Sequence, residues 1–95
     1  MLSEVRYLVR SKFDGRYLLA HPVAERSDLS YLLVFREYSE ALSYLNQHAA
    51  GLAERFVIES VSSMQLKATL KRWGFSGIGW VEDPWVPRIR FLSSP

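Results

Sequence analysis

The sequence contains no cysteine, and this absence removes two kinds of site. The chain has no disulfide to form and no thiolate ligand to offer a metal ion. It also lacks any apolar run that approaches the ~20 residues needed to span a bilayer. Glu4 and Arg6 interrupt the N-terminus before the apolar region of a signal peptide forms. We therefore expect a cytoplasmic protein that does not associate with membranes.

An excess of charge of one sign is also missing. Twelve positive side chains against ten negative ones give a net charge of only +2. Nine of the twelve are arginine, which makes bidentate and stacked contacts, so the excess of arginine over lysine favours a recognition surface. GC-rich codon usage would produce the same excess. The apolar fraction of 48% is ordinary for a folded domain, and 95 residues are enough for one core.

The clearest local signal predicts a helix over residues 62–73. Ser62 and Gln65 have the spacing of a capping box, in which each side chain bonds the backbone amide of the other. Apolar side chains with helical spacing follow at Leu66, Leu70 and Trp73. Gly74 then provides the left-handed residue that ends a helix. We expect Trp73 to lie in the core, on this apolar stripe.

The N-terminal residues alternate as a strand does, and Asp14-Gly15 follows them as a turn signal. A two-residue loop would pair Val9 with Ala20, whereas a three-residue loop would pair Val9 with Leu19. We prefer the three-residue loop because it collects one apolar face. That face consists of Val5, Tyr7, Val9, Tyr17 and Leu19. A slip of one residue would move one strand's side chains to the other face.

Hydrophobic patterns predict the remaining elements. The apolar run at residues 31–35 is typical of a central strand covered on both faces. A helix that ends at Gly51 is indicated by the spacing of Tyr38, Ala41, Leu42, Leu45 and Ala49. Further strands are predicted at residues 56–61, 77–81 and 88–92.

The predicted order is β-β-β-α-β-α-β-β, and both helices must bury their apolar stripes against a sheet. The simplest solution is an α+β, two-layer sandwich with both helices on one face of the sheet. We expect the sheet to be mixed, mostly antiparallel, and to contain about five to six strands. The whole chain, residues 1–95, is predicted to form a single globular domain, with residues 93–95 as a short tail.

A family resemblance covers the middle of the chain. An apolar strand that ends in Phe35 precedes a helix, a strand at Val57-Ile58-Glu59, a short helix and a glycine-containing strand that ends at Asp83-Pro84. Residues 31–84 thereby resemble the N-terminal domain of the SseB-type family. That family has Asn at the position of Asp83 and Thr or Ser at the position of Arg36. The resemblance implies an accessory or adaptor module and transfers no catalytic residue.

An Arg-rich sheet face is the first candidate site. If both helices cover the other side of the sheet, cations of the hairpin and of the last strand lie together on the open side. The predicted face consists of Arg6, Leu8, Arg10, Lys12, Arg16, Leu18, Arg88 and Arg90. It would suit a protein or an acidic partner. Nucleic acid is an alternative partner, although the aromatic residues that stack on bases are missing. A merely solvated face is the structural alternative.

Trp85 is the second candidate, because it lies between Pro84 and Pro87 in a predicted connector. An exposed indole there would serve as an interface anchor. In the alternative interpretation, the ring folds back to close one end of the core and its N–H bonds a backbone carbonyl.

Catalytic and cofactor sites have weaker support. The glycines of residues 74–79 follow a helix and lead into a strand, whereas phosphate-binding loops lead into a helix. The only histidines, His21 and His48, have no nucleophile or metal-ligand spacing around them. We therefore expect no catalytic residue, no cofactor and no metal site.

These observations predict a small cytoplasmic protein-interaction or adaptor module. Its partner would be another protein or a second copy of the chain. Nucleic-acid binding through the Arg-rich sheet face is the alternative function, and it predicts an affinity that falls steeply with salt. An uncharacterised enzyme or small-ligand protein is a further alternative, which a deep pocket holding a histidine beside a carboxylate would favour.

Overall fold

Six strands and two helices follow one another in the order that the sequence predicts, so the α+β class is confirmed. The structure is a computed structural model that describes residues 4–23, 25–26 and 28–93. The strands are β1 (Val5–Ser11), β2 (Leu19–Ala20), β3 (Tyr31–Val34), β4 (Phe56–Ser62), β5 (Gly77–Asp83) and β6 (Arg88–Ser93), and the helices are α1 (Tyr38–His48) and α2 (Ser63–Trp73). Of the predicted tail, Ser93 belongs to β6, and residues 94–95 lie outside the described residues.

The strands form a two-stranded ladder and a four-stranded ladder. β1 pairs antiparallel with β4, and the second ladder has the order β2-β3-β5-β6, in which only β3 and β5 are parallel. Two isolated bridges, Tyr7 with Phe35 and Arg10 with Tyr17, connect β1 to the second ladder. β4 and β6 are therefore the outermost strands at the two ends of the described sheet.

β3 lies at the centre of the core, and its successive side chains belong to opposite faces of the sheet. Leu33 joins Val9 in one buried cluster, and Leu32 joins Leu8 in another. All four side chains are at most 1% exposed. The prediction of a central strand covered on both faces is thereby confirmed.

The prediction that both helices lie on one face is wrong. Ala41 and Leu45 of α1 pack in the cluster of Leu33, whereas Leu66 and Leu70 of α2 pack against the cluster of Leu32. The reason is the direction of the two crossovers. β3, β4 and β5 run parallel, and the chain moves across the sheet from β3 to β4 through α1 and returns from β4 to β5 through α2. Because such crossovers are right-handed in nearly all proteins, reversing the direction places the second helix on the opposite face.

α2 has the predicted ends. Ser62 Oγ accepts from the amide of Gln65 at 3.1 Å, and Gln65 Oε1 accepts from the amide of Ser62 at 2.8 Å. Gly74 is left-handed, with φ of 71°. The prediction that Trp73 lies in the core is wrong. Its side chain is 42% exposed and packs at the surface against Tyr17, with ring centroids 5.5 Å apart.

The hairpin register differs from both predicted registers. Ser11 N donates to Arg16 O, Leu18 N donates to Val9 O, and Arg10 bridges to Tyr17, so four residues connect the paired positions. This places Leu18 in the Val9 cluster and moves Tyr17 and Leu19 to the Leu8 cluster. The physical cause is a local hydrogen-bond network in the connection: Asp14 Oδ1 accepts from the amide of Arg16, and the amide of Gly15 donates to Ser11 O.

Candidate interaction site

Trp85 projects from the turn that joins β5 to β6. Its side chain is 58% exposed, and the neighbouring Val86 is 73% exposed. The carboxylate of Asp83 accepts from the amides of Trp85 at 2.8 Å and of Val86 at 3.4 Å, which fixes the backbone of the turn. The interpretation in which Trp85 folds back on the core is therefore wrong. We call residues 83–87 the Trp85 turn.

The Trp85 turn is attached to α1 through His48. The Nε2 atom of His48 lies 2.8 Å from the carbonyl oxygen of Pro84, and since a carbonyl only accepts, Nε2 is the donor. The imidazole also packs on the ring of Tyr44, with centroids 4.6 Å apart. Pro84 itself is buried. The last turn of α1 thus holds the base of the Trp85 turn while the two apolar side chains at its tip point to solvent.

The arginines of the predicted Arg-rich face are largely paired with carboxylates. The ion pairs are Arg6–Glu4 (2.7 Å), Arg10–Glu59 (3.4 Å), Arg16–Asp14 (3.9 Å), Arg88–Glu82 (3.4 Å) and Arg90–Glu82 (2.8 Å). Each acid offsets positive charge that a phosphate or an acidic peptide would otherwise meet. Lys12 is exposed at the start of the hairpin connection.

The structure does not bring the predicted face together on one open side. Leu8 is fully buried in the cluster that α2 covers, and Leu18 packs in the cluster on the α1 side. In the observed register Tyr17 is the partner of Arg10, whereas the expected three-residue loop pairs Arg10 with Leu18. The expectation that these residues share one open surface is therefore wrong, because one helix covers each face and the hairpin register is shifted.

Part of the predicted face does converge, around Trp80. The guanidinium of Arg6 lies 5.0 Å from the ring centroid of Trp80, a cation–π distance. Arg90 is the cross-strand neighbour of Trp80, and Arg88 reaches the same carboxylate as Arg90, that of Glu82. The role of these cations in binding a partner stays a prediction.

A polar cluster lies beside α2 at the β4 edge of the sheet. The hydroxyl of Tyr17 donates to Glu59 Oε1 at 3.0 Å, and the guanidinium of Arg10 stacks on the Tyr17 ring at 4.9 Å. Burial, and then the bond to the Glu59 carboxylate, raises the pKa of Tyr17 above its ordinary value of 10.0. Arg72 and Thr69 of α2 line the shallow groove above this cluster. A tyrosine held neutral beside an ion-paired carboxylate stabilises the fold and offers no activated nucleophile.

The two histidines are used in backbone hydrogen bonds. His21 Nδ1 donates to Leu29 O at 3.3 Å, and His48 bonds the Trp85 turn as described. Neither histidine lines the three shallow grooves along α2. Within residues 4–23, 25–26 and 28–93, no group of three or more His, Asp or Glu side chains is placed to hold a metal ion.

Sequence reasoning missed the exposed apolar residues of β6. Phe91 is 39% exposed and Leu92 is 46% exposed, although alternation along the strand predicts that one of its faces is buried. Position in the sheet decides this, because β6 is the outermost strand. The only sequence signal was the pair of adjacent apolar residues, Phe91 and Leu92, which places one on each face.

The comparisons with known proteins give no relative. No family model, no curated protein and no solved structure matches the chain. The resemblance to the SseB-type family therefore stays a prediction. In the part of the chain that the structure describes, no helix is both long enough and apolar enough to cross a bilayer.

Proposed function

We propose that this chain is a small, non-catalytic protein-interaction module of the cytoplasm, and that the Trp85 turn is its binding element. The observation that carries the proposal is the outward position of Trp85 and Val86 on a fixed backbone. A large apolar pair held in water costs free energy that burial against a partner recovers, at about 25 cal/mol for each Å² of apolar surface covered. The expected partner is a protein with an apolar pocket that accepts an indole ring.

The Trp85 turn combines exposed apolar side chains with a backbone that is already ordered. Phe13 is 77% exposed, and the guanidinium of Arg55 lies over one face of its ring, 5.3 Å from the centroid. The Trp85 turn is instead held from below, by the Asp83 carboxylate and by His48. A side chain on a backbone that is already ordered loses less conformational entropy on binding, and tryptophan is the residue type most enriched among interface hot spots.

Paired charges favour the Trp85 turn over the Arg-rich face as the binding element. Because Glu4, Glu59, Asp14 and Glu82 already pair with the arginines of that face, a nucleic-acid backbone would have to displace these acids. No described group favours an enzymatic function, and we therefore propose no second candidate.

The test compares capture of partner proteins from cytoplasmic extract by wild type, Trp85→Ala and Met64→Ala. Met64 is a matched control because it is exposed at 80% and lies on α2, a different element. We expect a partner that wild type and Met64→Ala retain and that Trp85→Ala loses. With that partner purified, calorimetry should show a loss of affinity of about 30-fold for Trp85→Ala, the effect of a hot spot of ~2 kcal/mol. Equal affinity of all three proteins would reject the proposal, provided that circular dichroism shows each to be folded.

A further inference from the structure

The outer edge of β6 is open. β6 pairs with β5 on one side only, and no other described strand pairs with it. All of its residues are exposed except the half-buried Ile89. Proteins usually protect such an edge with charge, but the two arginines of this strand, Arg88 and Arg90, both pair with Glu82 of the neighbouring β5. The charges that would repel another strand are therefore partly neutralised.

β6 also presents apolar side chains on both faces of the sheet. On the α1 face, the ring of Phe91 packs edge-on against Tyr31, with centroids 5.2 Å apart. On the α2 face, Leu92 borders an apolar groove whose other walls include Leu66, Leu70 and Ile78. An added strand would thus gain backbone hydrogen bonds along the edge and apolar contacts on either side of it.

We infer that the occupant of this edge is a second copy of the chain, whose β6 pairs antiparallel with the first β6 about a two-fold axis at Phe91. A two-fold axis places one residue of the strand opposite itself. An axis at Arg90 would oppose two guanidiniums directly, and an axis at Ile89 would oppose Arg88 to the partner's Arg90. Like charges opposite each other destabilise strand pairing, so both of these registers are disfavoured.

The register centred on Phe91 places no two arginines directly opposite each other, and the two Arg90 side chains are diagonal neighbours. It places Phe91 opposite the partner's Phe91 and Arg90 opposite the partner's Leu92. With Tyr31 already packed on Phe91 in each copy, four aromatic rings come together on the α1 face. On the α2 face the two Leu92 side chains become diagonal neighbours, about 7–8 Å apart and within reach of each other. Among the registers centred on residues 89, 90 and 91, only this one has no directly opposed like charges, and it also brings the apolar side chains together.

The interface is small, and this sets the expected strength of the dimer. In the Phe91 register, residues 89–93 of each copy pair, which is few compared with the roughly 20–30 residues that a standard interface uses on each side. We therefore expect a weak dimer, whose populated fraction rises over the range of protein concentrations used in solution measurements. Since the Trp85 turn lies outside this pairing, the dimer and the proposed binding of another protein use separate surfaces.

The first experiment is the solution mass by light scattering over a series of protein concentrations. The wild-type mass should rise from 11.0 kDa towards twice that value as the concentration increases. Phe91→Glu should remain monomeric, because it places two carboxylates at the axis, while Phe13→Glu and Trp85→Ala should dimerise as the wild type does. A wild-type mass that stays at 11.0 kDa, a dimer that survives Phe91→Glu, or a dimer that Trp85→Ala abolishes would each overturn the inference.

Single cysteine variants test the register, since the natural chain has no thiol that would interfere. Cross-strand partners have Cβ atoms about 4.5–5.5 Å apart, close to disulfide geometry. Under a mild thiol oxidant such as diamide, Phe91→Cys should form a disulfide-linked dimer much faster than Arg90→Cys. Faster crosslinking of Arg90→Cys would show the other register and would overturn the inference. Because neither variant changes Trp85, this result is independent of the proposed function.

Discussion

The placement of one helix on each face of the sheet predicts that two adjacent leucines of β3 are equally important for stability. Leu32 is 0% exposed beneath α2, and Leu33 is 1% exposed beneath α1. Replacing either with alanine removes three buried carbons, at about 0.8 kcal/mol each, and leaves a cavity. We expect Leu32→Ala and Leu33→Ala each to lower the free energy of unfolding by about 3 kcal/mol.

Urea denaturation followed by circular dichroism measures this loss. A domain of this length has a stability of about 5–14 kcal/mol, so both variants should remain folded. With a urea dependence of about 1–1.5 kcal/mol per M, each midpoint should fall by about 2–3 M. Leu52→Ala is the control, because Leu52 is 46% exposed and should lose less than about 1 kcal/mol. If either β3 variant lost no more stability than Leu52→Ala, the sheet face that carries the replaced leucine would not be covered by a helix. That result would refute the placement of one helix on each face.

Two further predictions concern α2 and the polar cluster beside it. Ser62→Ala removes one acceptor of the capping box and should lower the free energy of unfolding by about 1 kcal/mol in urea denaturation. The control Ser60→Ala, on the exposed surface of β4, should change it by less than about 0.5 kcal/mol. Equal effects of the two substitutions would show that the cap does not stabilise the helix. Tyr17 should ionise above its ordinary pKa of 10.0, with Glu59→Gln lowering its pKa in a spectrophotometric titration of tyrosinate absorbance. Because the pKa of Tyr17 is raised in the folded state, the contribution of Tyr17 to stability is complete below pH 10.0 and is lost as the pH rises through the folded pKa. If Glu59→Gln left the pKa of Tyr17 unchanged, the carboxylate would have no part in raising it.

Local signals predicted the parts of the fold that depend on neighbouring residues. α2 is specified by Gln65 in its first turn and by Ser62 and Gly74, which flank its two ends, and these residues satisfy its terminal amides and carbonyls. The strand over residues 31–35 is equally local, because its unbroken apolar run requires cover on both faces. These elements therefore appear in the structure where the sequence predicts them.

The remaining parts depend on contacts between distant residues or on small differences between turns. The signal at Asp14-Gly15 is compatible with loops of several lengths, and the hydrogen bonds of Asp14 and Gly15 select a four-residue connection. The faces of α1 and α2 follow from strand order, which no local pattern encodes. The exposed indole of Trp85 could be anticipated, because the prolines beside it are local signals of a connector. The exposure of Phe91 and Leu92 could not be anticipated, because it depends on the position of β6 at the end of the sheet.

The central position of β3 determines when this chain is able to fold. Its nearest partner in sequence, β2, contributes only Leu19 and Ala20, while its parallel partner, β5, begins at Gly77. Parallel pairing across such a sequence separation is slow, because the intervening chain must be ordered first. During synthesis at about 5–20 residues per second, the apolar face of β3 that α2 later covers stays accessible to other chains and to chaperones for a few seconds. β3 is thus synthesised early and covered late. The time between its synthesis and its coverage by α2 is the stage at which the nascent chain is most open to misassembly.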